Sequence, residues 1–322
     1  MLLNLLRRTI IPPLWKLFQH IPDGTRFWHW CASRLGVEPR RPHLSDLDSR
    51  IVVREQAEAQ VPLCKLANLP DFSNPQWVAA AQKLGIASEH ANPDPVKKYW
   101  EYVHLIYGLE ELCCLDPTAK VLSVGCGYEI PMLYLTGLVA HVDGIDLFEG
   151  SDDIQAPLEA IEHDFRFPVD TERLTLQRMD ARSLEFDDES FDLVFSLSSI
   201  EHFGGNPEAA KAMQEMGRVL RPGGIAAVAT ELVLNKLPHP FFFSLDELDL
   251  FVIRPSGLSL VEPIDLSLSP CLLENPPRVD EVNRRPLLAE LWGDVLFTSV
   301  MLFLVKGSDE SSVTATTLET SA

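Results

Sequence analysis

A glycine turn behind a short apolar run is the first place where this sequence could bind a ligand. The run Val121–Val124 leads into Gly125, Cys126 and Gly127, and a helical pattern follows. The first glycine permits a tight turn, and the second lets a ligand approach the backbone, because neither carries a Cβ atom. The pattern predicts a strand–turn–helix unit that holds a nucleotide, with a purely structural turn as the alternative.

Polar side chains end the apolar runs that follow the turn. Asp146 comes 21 residues after Gly125, where a carboxylate can accept hydrogen bonds from both hydroxyls of a ribose. Asp180, followed by Ala181, ends the next run and can accept a hydrogen bond from an adenine amino group. Ser198 ends the run after that. The carboxyl ends of parallel strands lie at one edge of a sheet, so these residues should line one crevice.

Three side chains beside this crevice are candidate proton acceptors for a hydroxyl substrate, which can need a general base. His202 follows the fourth predicted strand, Glu231 ends the fifth, and His239 lies in the loop after it. Local hydrogen bonding, capping or solvation is the alternative for each. The run Phe241–Phe243 is predicted either to form an apolar wall or lid over the substrate or to lie in the core.

No metal centre is predicted. The six cysteines are scattered without a CxxC pair, and this spacing also argues against a disulfide framework. The remaining histidines have no ligand spacing; they include His20, His29, His104 and His163. No apolar run reaches about 18 residues, the length that a membrane-spanning helix needs.

From residue 119 onward, short apolar runs alternate with amphipathic helices, which predicts a parallel sheet covered by helices. The predicted strands are Lys120–Val124, His141–Asp146, Leu174–Met179, Phe191–Leu197, Ile225–Thr230, Leu258–Val261 and Val295–Val305. The predicted helices are Ile130–Leu138, 207–220 and one opened by the capping box Ser244–Glu247. Residues 44–118 read as helices between proline-containing loops, the clearest helix spanning 95–113. The predicted division is a helical N-terminal extension (1–94), an α/β domain (95–306) and a disordered tail (307–322).

Charge is unevenly distributed along the 322 residues. Acidic residues outnumber basic ones by 47 to 27, and a surface with a net charge of −20 repels phosphate backbones, so no nucleic-acid partner is predicted. Residues 1–43 are the exception, with seven basic and two acidic side chains and three of the six tryptophans. They are predicted either to pack on the main domain or to contact an anionic membrane or a partner. The predicted location is the cytoplasm, peripheral to a membrane where such contact is made.

In order and spacing, these motifs resemble those of the class I S-adenosylmethionine-dependent methyltransferases, of the methyltransferase type 11 kind. The resemblance covers residues 95–306 and is carried by the glycine turn, Asp146, Asp180-Ala181, the Phe191–Val194 strand and the Arg221–Gly224 turn. The segments 127–129 and 198–204 are similar to a bacterial subgroup often found among glycosyltransferases. The resemblance implies a Rossmann-like, doubly wound sheet of seven mostly parallel strands whose last strand is antiparallel.

The resemblance also implies a set of residues that hold the cofactor, S-adenosylmethionine. The set is Ser123, Gly125, Cys126, Gly127, Glu129, Asp146, Leu147, Asp180, Ala181 and Ser198. In it, Asp146 holds the ribose, Leu147 lies against the adenine, and Asp180 accepts from the adenine amine. Ser198 lies near the methyl donor.

Two positions of this sequence depart from the family pattern. Ser123 stands where an acidic residue is usual, and Glu129 stands where a third glycine is usual. We hypothesise that Glu129 takes over part of the missing acidic role by pairing with the amino group of the cofactor. A carboxylate that only caps the following helix is the alternative.

The resemblance predicts an enzyme that O-methylates a small molecule, a saccharide or a lipid-linked glycan by in-line transfer, where positioning supplies much of the rate. A protein that binds S-adenosylmethionine without turnover is the alternative, motivated by Ser123 and Glu129. A nicotinamide-dependent oxidoreductase is disfavoured, because its fingerprint needs a third glycine where this chain has Ile130.

Overall fold

The structure is a computed structural model of the chain. It describes residues 44–55, 61–88, 93–149, 153–154, 167–279, 281 and 283–307. The expectations for residues 1–43, for His20, His29 and His163, and for the tail beyond residue 307 lie outside the described residues.

The described strands and helices follow the predicted alternation from β3 onward. The strands are β1 (Val52–Val53), β2 (Lys65–Leu66), β3 (Lys120–Val124), β4 (His141–Asp146), β5 (Leu174–Arg178), β6 (Phe191–Leu197), β7 (Leu220–Val233), β8 (Ser259–Leu260), β9 (Ser267–Leu268), β10 (Ala289–Trp292) and β11 (Val295–Val305). The helices are α1 (Pro75–Lys83), α2 (Lys97–Glu111), α3 (Ile130–Thr136), α4 (Asn206–Val219), α5 (Leu245–Leu248) and α6 (Pro270–Glu274). The capping box predicted at Ser244 and Glu247 opens α5.

Five parallel strands form the centre of the sheet, in the order β5-β4-β3-β6-β7. Their apolar side chains are buried, as expected for parallel strands that are covered on both faces. Successive strands are added outward from β3 on one side and from β6 on the other. The strand order therefore reverses between β3 and β6, and in open α/β sheets ligands bind at the carboxyl ends of the strands at such a reversal.

The antiparallel strand β11 continues the sheet beyond β7, which confirms the predicted mostly parallel sheet with an antiparallel last strand. Its outer edge is covered by three short strands rather than by one long strand. From the start of β11 to its end, β10, β2 and β8 pair with successive parts of it. The prediction of a four-residue strand at Leu258–Val261 was therefore too long, and β10 and β2 were not predicted.

The described part of the N-terminal extension shares its core with the sheet. Trp77 of α1 and Trp100 of α2 are fully buried in the same apolar cluster as β11. Residues 52–53 and 65–66 form strands, so the expectation of a wholly helical extension is wrong there. The physical reason is that the open edge of β11 needs hydrogen-bond partners, which β2 supplies. The boundary near residue 94 stays a prediction.

None of the helices in the described ranges combines the length and the apolar character that a membrane crossing needs.

Candidate functional site

The glycine turn lies at the end of β3, where the strand order reverses. Gly125 and Gly127 have φ angles of +65° and +45°, a region that favours glycine. A Cβ on Gly125 would lie 2.6 Å from Cβ of Ser199, whereas no described atom lies within 4 Å of a Cβ on Gly127. Gly125 thus allows the loop after β6 to approach the turn, and Gly127 leaves its backbone open to a ligand.

Asp146, at the end of β4, holds this turn in place. Its Oδ2 atom accepts a hydrogen bond from the Gly127 N–H (3.0 Å), and its Oδ1 atom accepts one from the Phe148 N–H (3.1 Å). Between them, Leu147 is 49% exposed. A carboxylate oxygen can accept two hydrogen bonds, so Asp146 keeps acceptor capacity for a ligand beside the turn.

Ser123 and Cys126, two of the implied cofactor residues, point their side chains into the protein. Ser123 is buried within β3, and its hydroxyl has no hydrogen-bond partner among the described residues. The Cys126 side chain is buried too, and its Sγ atom lies 3.1 Å from the position of a Cβ on Gly144. Only the backbone of Cys126 is therefore placed to meet a ligand at the turn.

Asp180 lies after β5 and forms an ion pair with Arg182. Its Oδ1 and Oδ2 atoms accept hydrogen bonds from Nε (2.8 Å) and Nη2 (2.6 Å) of Arg182. These bonds lower the pKa of Asp180 below its ordinary value, so the carboxylate is ionised at neutral pH. A ligand amine would share this carboxylate with Arg182. Ala181, next to it, is buried.

Ser198 is held at the end of β6 by a buried carboxylate of α2. The residue has a φ of +49°, a strained value for a side chain with a Cβ. Its hydroxyl donates to Oε1 of Glu101 (2.7 Å), and the same oxygen accepts from the Ser299 hydroxyl of β11 (2.6 Å). Glu101, which was not among the predicted site residues, ties α2 and β11 to the loop that carries His202.

Glu129 pairs with Lys98, a residue that was not among the predicted site residues. Its Oε1 atom lies 2.5 Å from Nζ of Lys98, and Lys98 reaches Oε2 of Glu101 (3.3 Å) and donates to the Leu197 carbonyl (3.0 Å). Glu129 stands at the N-cap of α3 but its side chain makes no capping hydrogen bond, so the capping alternative is wrong. Burial raises the pKa of Glu129 to about 7 despite the charge of Lys98.

Glu231, a candidate base, is bound by the neighbouring lysine. Nζ of Lys97 lies 3.1 Å from Oε1 of Glu231 and 2.9 Å from Oε1 of Glu290 on β10, and it sits 3.9 Å from the ring centre of Phe297. Burial raises the pKa of Glu231 to about 6. Lys97 already neutralises the charge of Glu231. The structure therefore favours a role for Glu231 as an ion-pair partner over a role as a general base.

Glu201 is the most deeply buried of the acidic groups at these strand ends. It is 1% exposed, and its Oε2 atom accepts a hydrogen bond from the Thr230 hydroxyl (2.8 Å). Burial and the negative charge of Glu231 raise its pKa to about 8, so the carboxyl is mainly protonated at pH 7.

The two candidate histidines face the same phenylalanine but differ in chemistry. The ring centres of His202 and His239 lie 6.1 and 6.0 Å from that of Phe241. Nδ1 of His239 accepts the N–H groups of Phe241 (3.3 Å) and Phe242 (3.1 Å), and burial lowers the pKa of this imidazole to about 3. The neutral ring therefore carries its proton on Nε2 and can only donate there. The interpretation of His239 as a base is wrong in this arrangement.

His202 keeps a free imidazole. The residue is exposed, and its ring makes no hydrogen bond to any residue that the structure describes. Desolvation and the charge of Lys98 lower its pKa below the ordinary value, so the ring is neutral at pH 7 and has an available lone pair. Of the predicted run, Phe243 lies in the core, the buried Phe242 stacks on His239 with ring centres 4.0 Å apart, and Phe241 lies beside both histidines.

Among the described residues there is no group of three or more His, Cys, Asp or Glu side chains that could hold a metal ion.

Comparisons with known proteins found a family match over part of the chain. Residues 122–228 match the model of a family described as a methyltransferase domain. Methyltransferase GfsG of Streptomyces halstedii is 31% identical over 169 residues, which cover 48% of this chain and 58% of that protein. The ubiquinone biosynthesis O-methyltransferase of Nitrosococcus oceani is 32% identical over 126 residues, which cover 39% of this chain and 48% of that protein.

A solved structure, the YcgJ protein from Bacillus, superposes with a TM-score of 0.43 at 16% identity and covers 62% of this chain and 97% of that one. The chain spans about half the length of the curated relatives it matches. The strand order, the glycine turn and the matched domain define a nucleotide-binding α/β protein. The match over residues 122–228 supports a class I S-adenosylmethionine-dependent methyltransferase domain there, with S-adenosylmethionine as its cofactor.

Proposed function

We propose that this protein transfers a methyl group from S-adenosylmethionine to a hydroxyl group of a small-molecule acceptor. The observation that carries the proposal is the open backbone at Gly127 beside Asp146, on the same crevice as the free imidazole of His202. A nucleotide site and a proton acceptor at one strand reversal are what a hydroxyl-directed transferase needs.

The residues of the crevice fit the cofactor. The turn at Gly127 leaves space that any side chain would fill, and Asp146 retains acceptor capacity for ribose hydroxyls. The exposed Leu147 offers an apolar contact for a base, and Asp180 offers an acceptor for its amine. Oε2 of Glu129 is buried without a hydrogen-bond partner among the described residues, which suits an incoming ammonium group.

Once bound, the cofactor supplies a methyl group on a positively charged sulfur. The chain supplies position and proton transfer. Glu101 fixes Ser198 and thereby the loop that carries His202, and this rigidity favours an in-line approach of the acceptor hydroxyl. The neutral imidazole of His202 then accepts the hydroxyl proton, a role typically worth about 10²- to 10⁴-fold in rate. His239 can orient an acceptor by donating from Nε2.

The finer identity of the acceptor rests on the resemblance. A saccharide or lipid-linked glycan stays a prediction, as does a membrane or partner contact of residues 1–43. The name of one relative places O-methylation in ubiquinone biosynthesis, which supports a hydroxyl as the methyl acceptor here. An acceptor panel should therefore contain free sugars, lipid-linked glycans and phenols.

Calorimetric titration with S-adenosylmethionine and S-adenosylhomocysteine tests the proposal first. We expect micromolar binding that Asp146→Ala and Asp180→Ala weaken, with the fold of each variant checked by urea unfolding. The exposed Glu172, whose side chain lies away from the crevice, gives a matched control as Glu172→Gln. Absence of binding by the folded wild type would contradict the proposal. Binding without any methylated product across the panel would favour the non-catalytic alternative.

A further inference from the structure

An excess of negative charge is buried under the crevice. Five carboxylates and two ammonium groups meet at the ends of β3, β6, β7 and β10 and at the start of α2. The members of this acid cluster are Glu101, Glu129, Glu201, Glu231, Glu290, Lys97 and Lys98. Fully ionised, the cluster carries three negative charges more than positive ones. Apart from Lys98, which is 42% exposed, its side chains are almost entirely buried.

Three oxygens of the cluster lack a hydrogen-bond partner among the residues that the structure describes. They are Oε2 of Glu129, Oε1 of Glu201 and Oε2 of Glu101, of which the last lies within ion-pair distance of Lys98 (3.3 Å). A buried carboxylate stays ionised only when a positive charge or hydrogen bonds compensate it. Without them it binds a proton and becomes neutral. The cluster therefore has to hold protons in the free protein or receive a cation from outside.

The cluster adjoins the place where the cofactor is proposed to bind. Glu129 comes two residues after the open Gly127, and Glu101 holds Ser198 at the end of the neighbouring strand. The Lys98 charge acts on both Glu129 and His202. The crevice thus combines an open backbone, unsatisfied acceptor atoms and surplus negative charge, which together suit a cationic ligand.

We propose that the acid cluster exchanges a proton for the positive charge of the cofactor. This inference rests on the proposed function and deepens it. S-adenosylmethionine carries one positive charge more than S-adenosylhomocysteine, at its sulfonium. Binding of the cationic cofactor displaces a proton from the cluster, and the neutral thioether product lets the cluster take a proton back. The cluster is thus both a selector for cofactor over product and the final acceptor of the substrate proton.

The group transfer balances without a further reactant. The bond between the acceptor oxygen and the methyl carbon forms as the sulfur–methyl bond breaks, and the electron pair of that bond stays on sulfur. The hydroxyl proton passes to His202 and then to a carboxylate of the cluster. Uptake of this proton neutralises the negative charge of the cluster that the sulfonium had compensated and that the neutral thioether does not.

The groups around Glu129 and Glu201 set the pH at which the exchange is observed. Glu129 faces Lys98 and Glu101 from α2 and Asp146 from β4, and the Tyr102 phenol and the Cys126 thiol lie near it. Glu201 faces Glu231 and the Thr230 hydroxyl from β7 and Glu101 from α2. With pKa values of about 7 and about 8, these two carboxyls hold between them at least one proton at pH 7.

Calorimetric titrations at pH 7 in phosphate and in Tris buffer, whose ionisation heats differ, count the protons exchanged on binding. We expect S-adenosylmethionine to release about half a proton or more beyond S-adenosylhomocysteine. As the pH rises from 6.5 to 7.5, the affinity for S-adenosylmethionine relative to that for S-adenosylhomocysteine should then increase about threefold. Equal proton counts for the two ligands would overturn the inference and leave the proposed function intact.

Two variants locate the exchanged proton. Glu201→Gln and Glu129→Gln preserve side-chain shape but cannot titrate, so each should reduce the proton release, while Glu172→Gln should leave it unchanged. Urea unfolding checks that each variant is folded. If either variant fails to fold, the comparison of the two ligands on the wild type still decides. Unchanged proton release in both folded variants would contradict the assignment to this cluster, and failure of the wild type to bind either ligand would instead contradict the proposed function.

Discussion

The two glycines of the turn should respond differently to the same added methyl group. An alanine at either position is held in the left-handed region, which costs about 1–2 kcal/mol. At Gly125 the new Cβ would also lie 2.6 Å from Ser199, and such overpacking adds about 1–3 kcal/mol. We therefore expect Gly127→Ala to lower the free energy of unfolding by about 1–2 kcal/mol and Gly125→Ala by about 2–5 kcal/mol.

Cofactor affinity should separate the two glycines further. The Cβ of Gly127→Ala fills the space through which a ligand approaches the backbone, so we expect the affinity for S-adenosylhomocysteine to fall at least about tenfold, or 1.4 kcal/mol. Gly257, with a φ of +68° and equally open surroundings at the end of the turn 254–256, is the matched control. Gly257→Ala should lose similar stability and bind normally. A destabilised Gly127→Ala that bound as tightly as the wild type would refute the argument.

Four further predictions concern single side chains elsewhere in the protein. His202→Ala should lower the turnover rate by about 10²- to 10⁴-fold while S-adenosylhomocysteine binding persists. His239→Phe should lower the turnover far less than His202→Ala in a methylation assay, because Nδ1 of His239 is already used by backbone N–H groups and Nε2 can only orient an acceptor. Asp71→Asn leaves the buried Lys65 without its carboxylate and should cost about 3–5 kcal/mol in urea unfolding. The free energy of unfolding should fall from pH 5 to pH 9, because folded Glu201 keeps a proton that the unfolded chain loses above about pH 4.5, and Glu201→Gln should flatten this profile.

Controls for these predictions come from exposed groups of the same types. Lys83 pairs with Glu110 at 2.7 Å on the surface, and breaking this pair with Lys83→Met should cost less than about 1 kcal/mol. If Asp71→Asn and Lys83→Met lowered the free energy of unfolding equally, burial would not explain the cost of Asp71→Asn. Full turnover in His202→Ala would remove this residue from the mechanism.

The parallel half of the fold could be predicted because its signals are local. The strand β3 and the turn after it are encoded within a few residues by an apolar run and two glycines, and the structure places both as predicted. The edge of β11 was harder, because two-residue strands such as β2 have no periodicity of their own. The hairpin from β10 to β11 did carry a signal: the pair Gly293-Asp294 between apolar residues is a two-residue turn.

The charged half of the site was predicted only at Glu129 and Glu231, because its residues become partners only through the fold. The helix α2 was recognised by its apolar stripe, from which Glu101 is absent, and a polar residue off such a stripe ordinarily faces water. In the structure Glu101 is buried, and the hydroxyls of Ser198 and Ser299 donate to it. These residues follow Glu101 by 97 and 198 positions in the sequence. Lys97 likewise meets Glu231 and Glu290 only once β7 and β10 are in place.

This division between local and distant signals also separates two parts of the chemistry. The residues predicted to meet the nucleotide lie within the matched segment 122–228, where the backbone conformation of a short turn is the main requirement. Lys97, Lys98, Glu101 and Glu290 lie outside it, yet their ion pairs set the charge beneath the crevice where methyl transfer is proposed. Changes in these four residues should therefore alter proton exchange and acceptor turnover more than nucleotide contacts, because they act through charge on a site whose backbone they do not form.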